Sequence, residues 1–453
     1  MTTSPNTATD RLRRALSGAD VPLVLLGNFE VEQYWAVGER GLPRMSSTAS
    51  TVIVNRMDEF TLLLGGPRDH VVVKAAPDPD YVSYLTDLGF QLPQILSPAR
   101  QDPRRPVTAD VMADTALLAR LAELGDAGAW LWPHGVSAAE EELASVTGLP
   151  FAGAGAAVCK KVNSKIYSRL LADRVGLRQP DGRVCRDVTE LTEACAWARG
   201  RLLGGIPVVA KDAFGVSGKG LLVIREEAAL QRLQRMVGRH AEGGLSLLFE
   251  EWVDKHMDLN YQMTVDRAGT VRFDFVKEAL TEAGAHRGHR IPARLTDAQL
   301  AELRAAALAI GKLLAADGYV GVVGVDAMVD PDGGVYPVTE INARNNMSTY
   351  QERIREMFVG ERRCALATHY PLQLDRSLPF DELDGGLGGL LLRPGDSTGL
   401  LVNNFATVNA AAATSGGFEG RLYAVVVADD EQDLESIDQA VRTRLHDLTK
   451  GRR

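Results

Sequence analysis

Cysteine is scarce: Cys159, Cys185, Cys195 and Cys364 are the only four in 453 residues, and their spacing matches no metal site. Four in so long a chain exclude a disulfide scaffold and point to a reducing cytoplasm. No dense Lys/Arg run interrupts a balance of 50 basic and 59 acidic residues, so nucleic acid is not an expected partner. Long apolar runs are also missing. The first, Val21 to Leu26, is too short for a signal core or a membrane span. There is no repeat of fixed period and no extended low-complexity tract. The Gly-Lys-Ser/Thr loop of P-loop enzymes, a dinucleotide fingerprint opening a βαβ unit, and the His-Arg-Asp and Asp-Phe-Gly elements of protein kinases are all lacking.

What is present is ordinary globular composition, 45% hydrophobic and 24% charged, over a length that calls for two to four packed units. After a small polar arm, Val/Leu-rich runs at 21–27, 51–55, 61–64 and 71–74 read as strands, with another at 129–132. Helical segments near 81–88, 107–125 and 137–147 separate or follow them, which predicts an alternating α/β domain over residues 1–155 ending at Gly153 and Gly155. Asn163 reads as the N-cap of a helix carrying Ile166, Leu170 and Leu171 and stopping at Gly176. Runs at 206–210, 221–224, 246–253, 260–265 and 271–276 give the middle of the chain an α+β character. Thr296 and Gln299 form a capping box ahead of a long amphipathic helix. Beyond 375, a Gly385–Gly389 stretch, strand-like runs at 390–393, 399–407 and 421–428, and a terminal helix mark a further unit. The expected divisions are 1–155, 156–245, 246–374 and 375–453.

The stretch from Gly321 to Arg344 predicts two strands around a turn at Asp332–Gly334. In that register Asp326 lies opposite Glu340, and alternation puts Glu340, Asn342 and Arg344 on the same face. Like charges facing one another destabilise a sheet unless something bridges them, and a hard divalent cation takes such oxygen ligands. Solvent-facing carboxylates, or pairing with Arg344 alone, would suit the same spacing. Pro337 argues for an edge strand or a bulge. Upstream, Lys165 falls in a helix's first turn, where a cation is disfavoured unless an anion is near. Lys211 ends a strand and is followed by a glycine loop containing Ser217, Gly218, Lys219 and Gly220. Such a loop can present N–H groups to phosphate, though an ordinary glycine-rich hairpin reads the same way.

This order, helix lysine, strand lysine, Ser/Gly loop, Glu-Glu-Trp-Val and a carboxylate hairpin, resembles the ATP-grasp superfamily. Residues 160–350 are similar to D-alanine–D-alanine ligase and other carboxylate–amine ligases. The end domains resemble the peptide-ligase group typified by the pheganomycin enzyme. The resemblance implies a Rossmann-like pre-ATP-grasp domain, a two-lobed ATP-grasp domain and a small C-terminal α/β unit. It implies ATP and magnesium or manganese as cofactors. Lys165, Lys211 and Ser217 to Gly220 would meet phosphates, Glu250, Glu251, Trp252 and Val253 the adenine, and Asp258 the ribose. Asp326, Glu340 and Asn342 would hold the metal and Arg344 would steady the substrate carboxylate or acyl phosphate. The stretch Phe275 to Ala279 is similar to the loop those ligases close over ATP and puts Lys277 in the phosphate-lysine position, where with Arg344 it would stabilise developing negative charge. Asn345 to Thr349 departs from the Pro-Gly-Met-Thr run of D-alanine ligases. The implied reaction joins an amino-acid-like acid to an amine or peptide through an acyl phosphate, in peptide natural-product biosynthesis. A nucleotide-binding regulator, and a ligase using a thiol or hydroxyl acceptor, are the alternatives. Residues 281–290 read as a cationic lid in which His286 or His289 is a candidate base. A homodimer is the default assembly.

Overall fold

A computed structural model describes residues 7–42, 48–215, 220–239, 244–282, 285–412 and 416–450. Strand β1 (Leu23–Leu26) is four apolar residues, all buried, as a parallel strand covered on both faces requires. It is joined by β2 (His70–Val72), β3 (Gln94–Leu96) and β4 (Trp130–Pro133) in a parallel sheet of order β3-β2-β1-β4. The order reverses between β1 and β4, so the crevice beyond their C-terminal ends, at Asn28 and His134, faces the rest of the molecule. The runs at 51–55 and 61–64 are not strands. They form the helix Thr48–Asn55 and the 3-10 helix Met57–Leu63. Phe60, Leu62, Leu63 and Leu64 are all buried in consecutive turns that pack against more than one element, and this tertiary burial overrides their β propensity.

A second sheet, β5 (Gly182–Cys185), β6 (Val208–Asp212), β7 (Leu221–Ile224) and β8 (Leu247–Glu251), is antiparallel in the order β5-β8-β6-β7. The helices Val188–Leu203 and Glu227–Gly238 pack Leu191, Ala198, Leu230 and Leu233 against Val208, Ala210 and Phe249.

The third sheet has eight antiparallel strands: β9 (Met257–Val265), β10 (Val271–Glu282), β11 (Ala285–Ile291), β12 (Gly321–Val329), β13 (Val335–Asn342), β14 (Cys364–Leu374), β15 (Gly399–Asn404) and β16 (Phe418–Ala428). Their order is β13-β12-β9-β10-β11-β14-β16-β15. The helix Asp297–Ala316 opens with the Thr296/Gln299 capping box read from the sequence and packs against β9, β10 and β13. The sheet runs straight across residue 375, because β16 pairs along the whole of β14. The run at 390–393 is not a strand and makes only an isolated bridge, Leu391 to Leu400. Gly385 and Gly386 lie inside the helix Phe380–Leu387. The described part of the expected lid is sheet as well: β11 pairs with β14 from Gly288↔Thr368 to Ile291↔Ala365. The mixed architecture matches the expected α/β fold with an α+β core. All four cysteines are free and buried. Among the described residues no helix is long and apolar enough to cross a membrane.

Candidate functional site

Asp326 pairs with Glu340 in the β12–β13 ladder, the register read from the sequence. Past this pair the register shifts, so that Met328 faces Tyr336 and Val329 faces Val335. The extra residues include Pro337 on β13, the edge strand, where a missing N–H is tolerated. Asp330 closes the turn, its Oδ1 accepting from Asp332 and Gly334 N–H at 3.1 and 2.7 Å.

The row continues across the sheet. Asn260 on β9 lies opposite Asp326, and Lys277 on β10 lies opposite Asn260, so Glu340, Asp326, Asn260 and Lys277 share one face. Asp326 Oδ1 accepts from Asn260 Nδ2 at 2.8 Å and Oδ2 from Asn342 Nδ2 at 3.1 Å. Arg344 Nη2 donates to Asn342 Oδ1 at 3.0 Å, and its Nε donates to Glu32 Oε1 at 2.5 Å. Burial, reinforced by the facing Glu340, pushes the Asp326 carboxyl up to about 6, against the pull of Asn260, Arg344 and Asn342.

Lys165 Nζ donates to Glu340 Oε1 at 2.5 Å and to the Gly215 carbonyl at 2.9 Å. Its helix, Lys165–Val175, has Ser164 at the N-cap position, without a side-chain cap bond, and not Asn163, which closes the preceding helix Ala156–Val162. Asn163 instead ties that junction to the Ala343 main chain, donating to its carbonyl at 3.2 Å and accepting its N–H at 2.9 Å. The anion that a lysine at a helix start requires is therefore Glu340. Lys211 Nζ meets Glu250 Oε2 at 2.6 Å, and Arg169 meets Glu250 Oε1 at 3.0 Å. The main-chain N–H groups of Glu251 and Trp252 already donate to the Asp181 and Pro207 carbonyls, each at 2.8 Å. Asp258 is bound by Lys255 and accepts from Thr281 Oγ1 at 2.5 Å. Gly220, at φ 82°, accepts from Asp212 N–H at 2.8 Å. Ser217, Gly218 and Lys219 lie outside the described residues.

Two expectations change. Lys277 is not a loop lysine: it is fully buried under the helix Met347–Ile354, donating to the Ser348 carbonyl at 3.0 Å and to Gln351 Oε1 at 3.3 Å. Burial drives its ammonium down to about 7. His289 does not sit in a polar lid loop. It is buried, with Nε2 3.4 Å from Ser348 Oγ, while the side chain of His286 lies outside the described part.

Sequence reasoning missed Asn260, Glu32 and Arg169. For Asn260 a signal existed, because Asn260, Gln262 and Thr264 alternate with Leu259, Tyr261 and Met263 along β9, as a strand with one polar buried face does.

As a donor set, Asp326, Glu340 and Asn342 fit a hard divalent cation. All three offer oxygen, and the two facing carboxylates carry charge that burial otherwise penalises. Lys165 and Arg344 add cations beside this set, bonded to Glu340 and Asn342, and Lys211 adds a further one bonded to Glu250.

Residues 57–149 match the family model "Pre ATP-grasp domain", and residues 165–357 match "Carbamoyl-phosphate synthase L chain, ATP binding domain". Over 313 residues the chain is 26% identical to the [butirosin acyl-carrier protein]–L-glutamate ligase of Niallia circulans, covering 68% of each chain. It is 23% identical over 201 residues to the carbamoyl phosphate synthase large chain of Myxococcus xanthus, covering 44% of this chain and only 18% of that one. The biotin carboxylase of Campylobacter jejuni, solved as a β,γ-ATP complex, superposes with a TM-score of 0.56 at 14% identity, over 95% of this chain and 92% of its own, a likeness of fold. With both family matches in chain order and the carboxylate hairpin inside the second, the chain belongs to the ATP-grasp carboxylate–amine ligase superfamily.

Proposed function

We propose that this ATP-grasp ligase forms an amide or peptide bond between an amino-acid-like acid and an amine or peptide N-terminus, releasing ADP and phosphate. One observation carries the reading: Asp326 and Glu340 face each other with Arg344 and Lys165 bound at their sides. The butirosin relative, whose name joins an acyl-carrier protein to L-glutamate, supports an amino acid as the activated acid and supports a role in natural-product biosynthesis.

In this reading a carboxylate oxygen of the acid bonds to the γ-phosphorus as the bond from that phosphorus to the ADP oxygen breaks. The amine nitrogen then bonds to the carbonyl carbon, the carbon–oxygen bond to phosphate breaks, and the nitrogen loses a proton. Lys165 and Lys211 hold the phosphates, exchanging Glu340 and Glu250 for them. Magnesium or manganese held by Asp326, Glu340 and Asn342 would supply neutralisation of phosphate charge. Arg344 orients the carboxylate and stabilises its developing charge, so no side-chain nucleophile is needed. The adenine falls to the Glu250–Val253 segment, with Val253 offering its N–H since those of Glu251 and Trp252 are engaged, and the ribose falls to Asp258. The buried Lys277 holds the Met347–Ile354 helix in place over the sheet.

The test is ADP release with magnesium-ATP, each proteinogenic amino acid in turn, and hydroxylamine as the amine, with hydroxamate mass as the product readout. Glu340→Gln and Lys211→Ala are each expected to lower turnover by roughly 10³-fold with unfolding midpoints unchanged. Near-normal turnover in either variant defeats the assignment. The carrier-protein relative favours a second reading, a thiol acceptor, which a thioester-mass product would establish.

A further inference from the structure

Asn346 carries donors that the structure leaves idle. It caps the Met347–Ile354 helix, its Oδ1 accepting from Ser348 N–H at 2.9 Å and Thr349 N–H at 3.3 Å, while its own N–H donates to Thr349 Oγ1 at 3.1 Å. Engagement through Oδ1 fixes the orientation of the amide, so Nδ2 faces away from the helix. The residue is 7% exposed, and Nδ2 has no hydrogen-bond partner. A buried amide without a partner is costly, and such a group in a native site calls for an explanation.

Its surroundings supply one. A Cβ placed on Gly324 would stand 2.5 Å from Asn346 Nδ2, so glycine at 324 is what admits the amide to the face of the sheet. Gly324 pairs with Asn342 on one side and Gln262 on the other, two residues from Asp326 on the same strand and face. Arg344 reaches Asn342 Oδ1 on one flank, and Lys277 lies in the next row. Asn346 Nδ2 is a donor without a partner, and the cations near it, Arg344 and Lys277, have partners of their own; a free donor with cations in adjoining positions suits an oxyanion.

We propose that Asn346 is a substrate-contacting residue, donating through Nδ2 to the carboxylate of the acid and then to the carbonyl oxygen of its acyl phosphate. This rests on the ligase reading above. Electron density gathers on that oxygen when the amine adds, so the contact strengthens as the reaction proceeds.

Serine and aspartate cap helices as well as asparagine does but carry no N–H₂. Asn346→Ser and Asn346→Asp are therefore expected to lower kcat/KM for the best amino acid in the hydroxylamine assay by roughly 10²-fold, leaving KM for ATP and the unfolding midpoint in place. Gly324→Ala, which pushes the amide aside, should produce the same kinetic loss. Kinetics within threefold of wild type for Asn346→Ser, or a fall in its midpoint without a kinetic change, overturns the proposal and leaves Asn346 a helix cap. A second readout needs no turnover: with ADP and magnesium present, acetate is expected to raise the wild-type unfolding midpoint in a concentration-dependent way and to leave that of Asn346→Ser unmoved. Equal shifts in both, or none in the wild type, also overturn it. An acetate shift confined to wild type, in a protein that activates no acid, strikes the ligase reading alone.

Discussion

The two halves of the eight-stranded sheet share one hydrogen-bonded ladder and are built on opposite principles. In the half ending at β13, one row reads Glu340, Asp326, Asn260, Lys277. In the half ending at β15, a comparable row reads Leu400, Val426, Leu366. The apolar row is held by removal from water alone. The polar row is held by bonds from the helix above it: Ser348 Oγ donates to Asn260 Oδ1 at 3.0 Å, Thr349 Oγ1 to Gln262 Oε1 at 2.7 Å, and Lys277 returns a bond to Ser348. Polar groups are costly to bury and costlier when half satisfied, and this polar layer, bonded through the helix but with Asn346 Nδ2 left over, lies in the half that carries the proposed site.

The contrast breaks most visibly in the apolar half. Leu422 on β16 is fully buried opposite Tyr370, and Leu422→Ala is expected to destabilise the protein by about 2–5 kcal/mol while the folded fraction keeps its turnover number. Denaturant unfolding and active-site titration measure the two separately. A fall in turnover per folded molecule would mean that the halves are mechanically one unit.

In the polar half the expected sign is reversed. Asn260 has no direct place in the predicted metal set, yet it holds Asp326 Oδ1 and receives Ser348. Groups that orient metal ligands typically matter by about 10–100-fold in affinity, and Asn260→Ala is expected to weaken manganese binding, read by electron paramagnetic resonance, by that factor. Loss of stability with unaltered manganese affinity would reduce Asn260 to a packing residue.

How much of this was legible follows from range. The Asp326–Glu340 register could be read because a hairpin is local and side chains alternate with period two. The Thr296 cap was equally local. Asn163 was misassigned by one residue because two helices abut there and asparagine suits either end. The pairing of Glu32 with Arg344 joins positions 312 apart in sequence, and no periodicity reports it. The burial of Lys277 depends on a helix seventy residues onward. The alternation along β9 was visible, and it acquires meaning only once β9 is known to lie between two strands of the site.

The smallest effect concerns an acid set against the apolar half. Glu59 Oε2 accepts the main-chain N–H groups of Phe405 and Ala406 at 2.6 and 2.7 Å, while Oε1 is buried without a partner. Burial raises its carboxyl to about 7, despite those bonds and nearby Arg56, and Asp58 adds to the rise. A folded-state value above the ordinary carboxylate range means that the fold holds a proton the unfolded chain gives up. This contribution is fully present below about pH 4.5 and is lost as pH climbs through about 7. Glu30, raised to about 8 mainly by burial, acts in the same direction and persists in the variant. Glu59→Gln keeps an oxygen for both N–H groups and cannot ionise, so it should flatten part of the wild-type loss of stability between pH 5 and 8 and exceed wild type at pH 8 by on the order of 1 kcal/mol. Parallel pH profiles for the two proteins would show that Glu59 stays charged in this interface, and that the apolar half, like the polar one, accommodates an ionised group by bonding it.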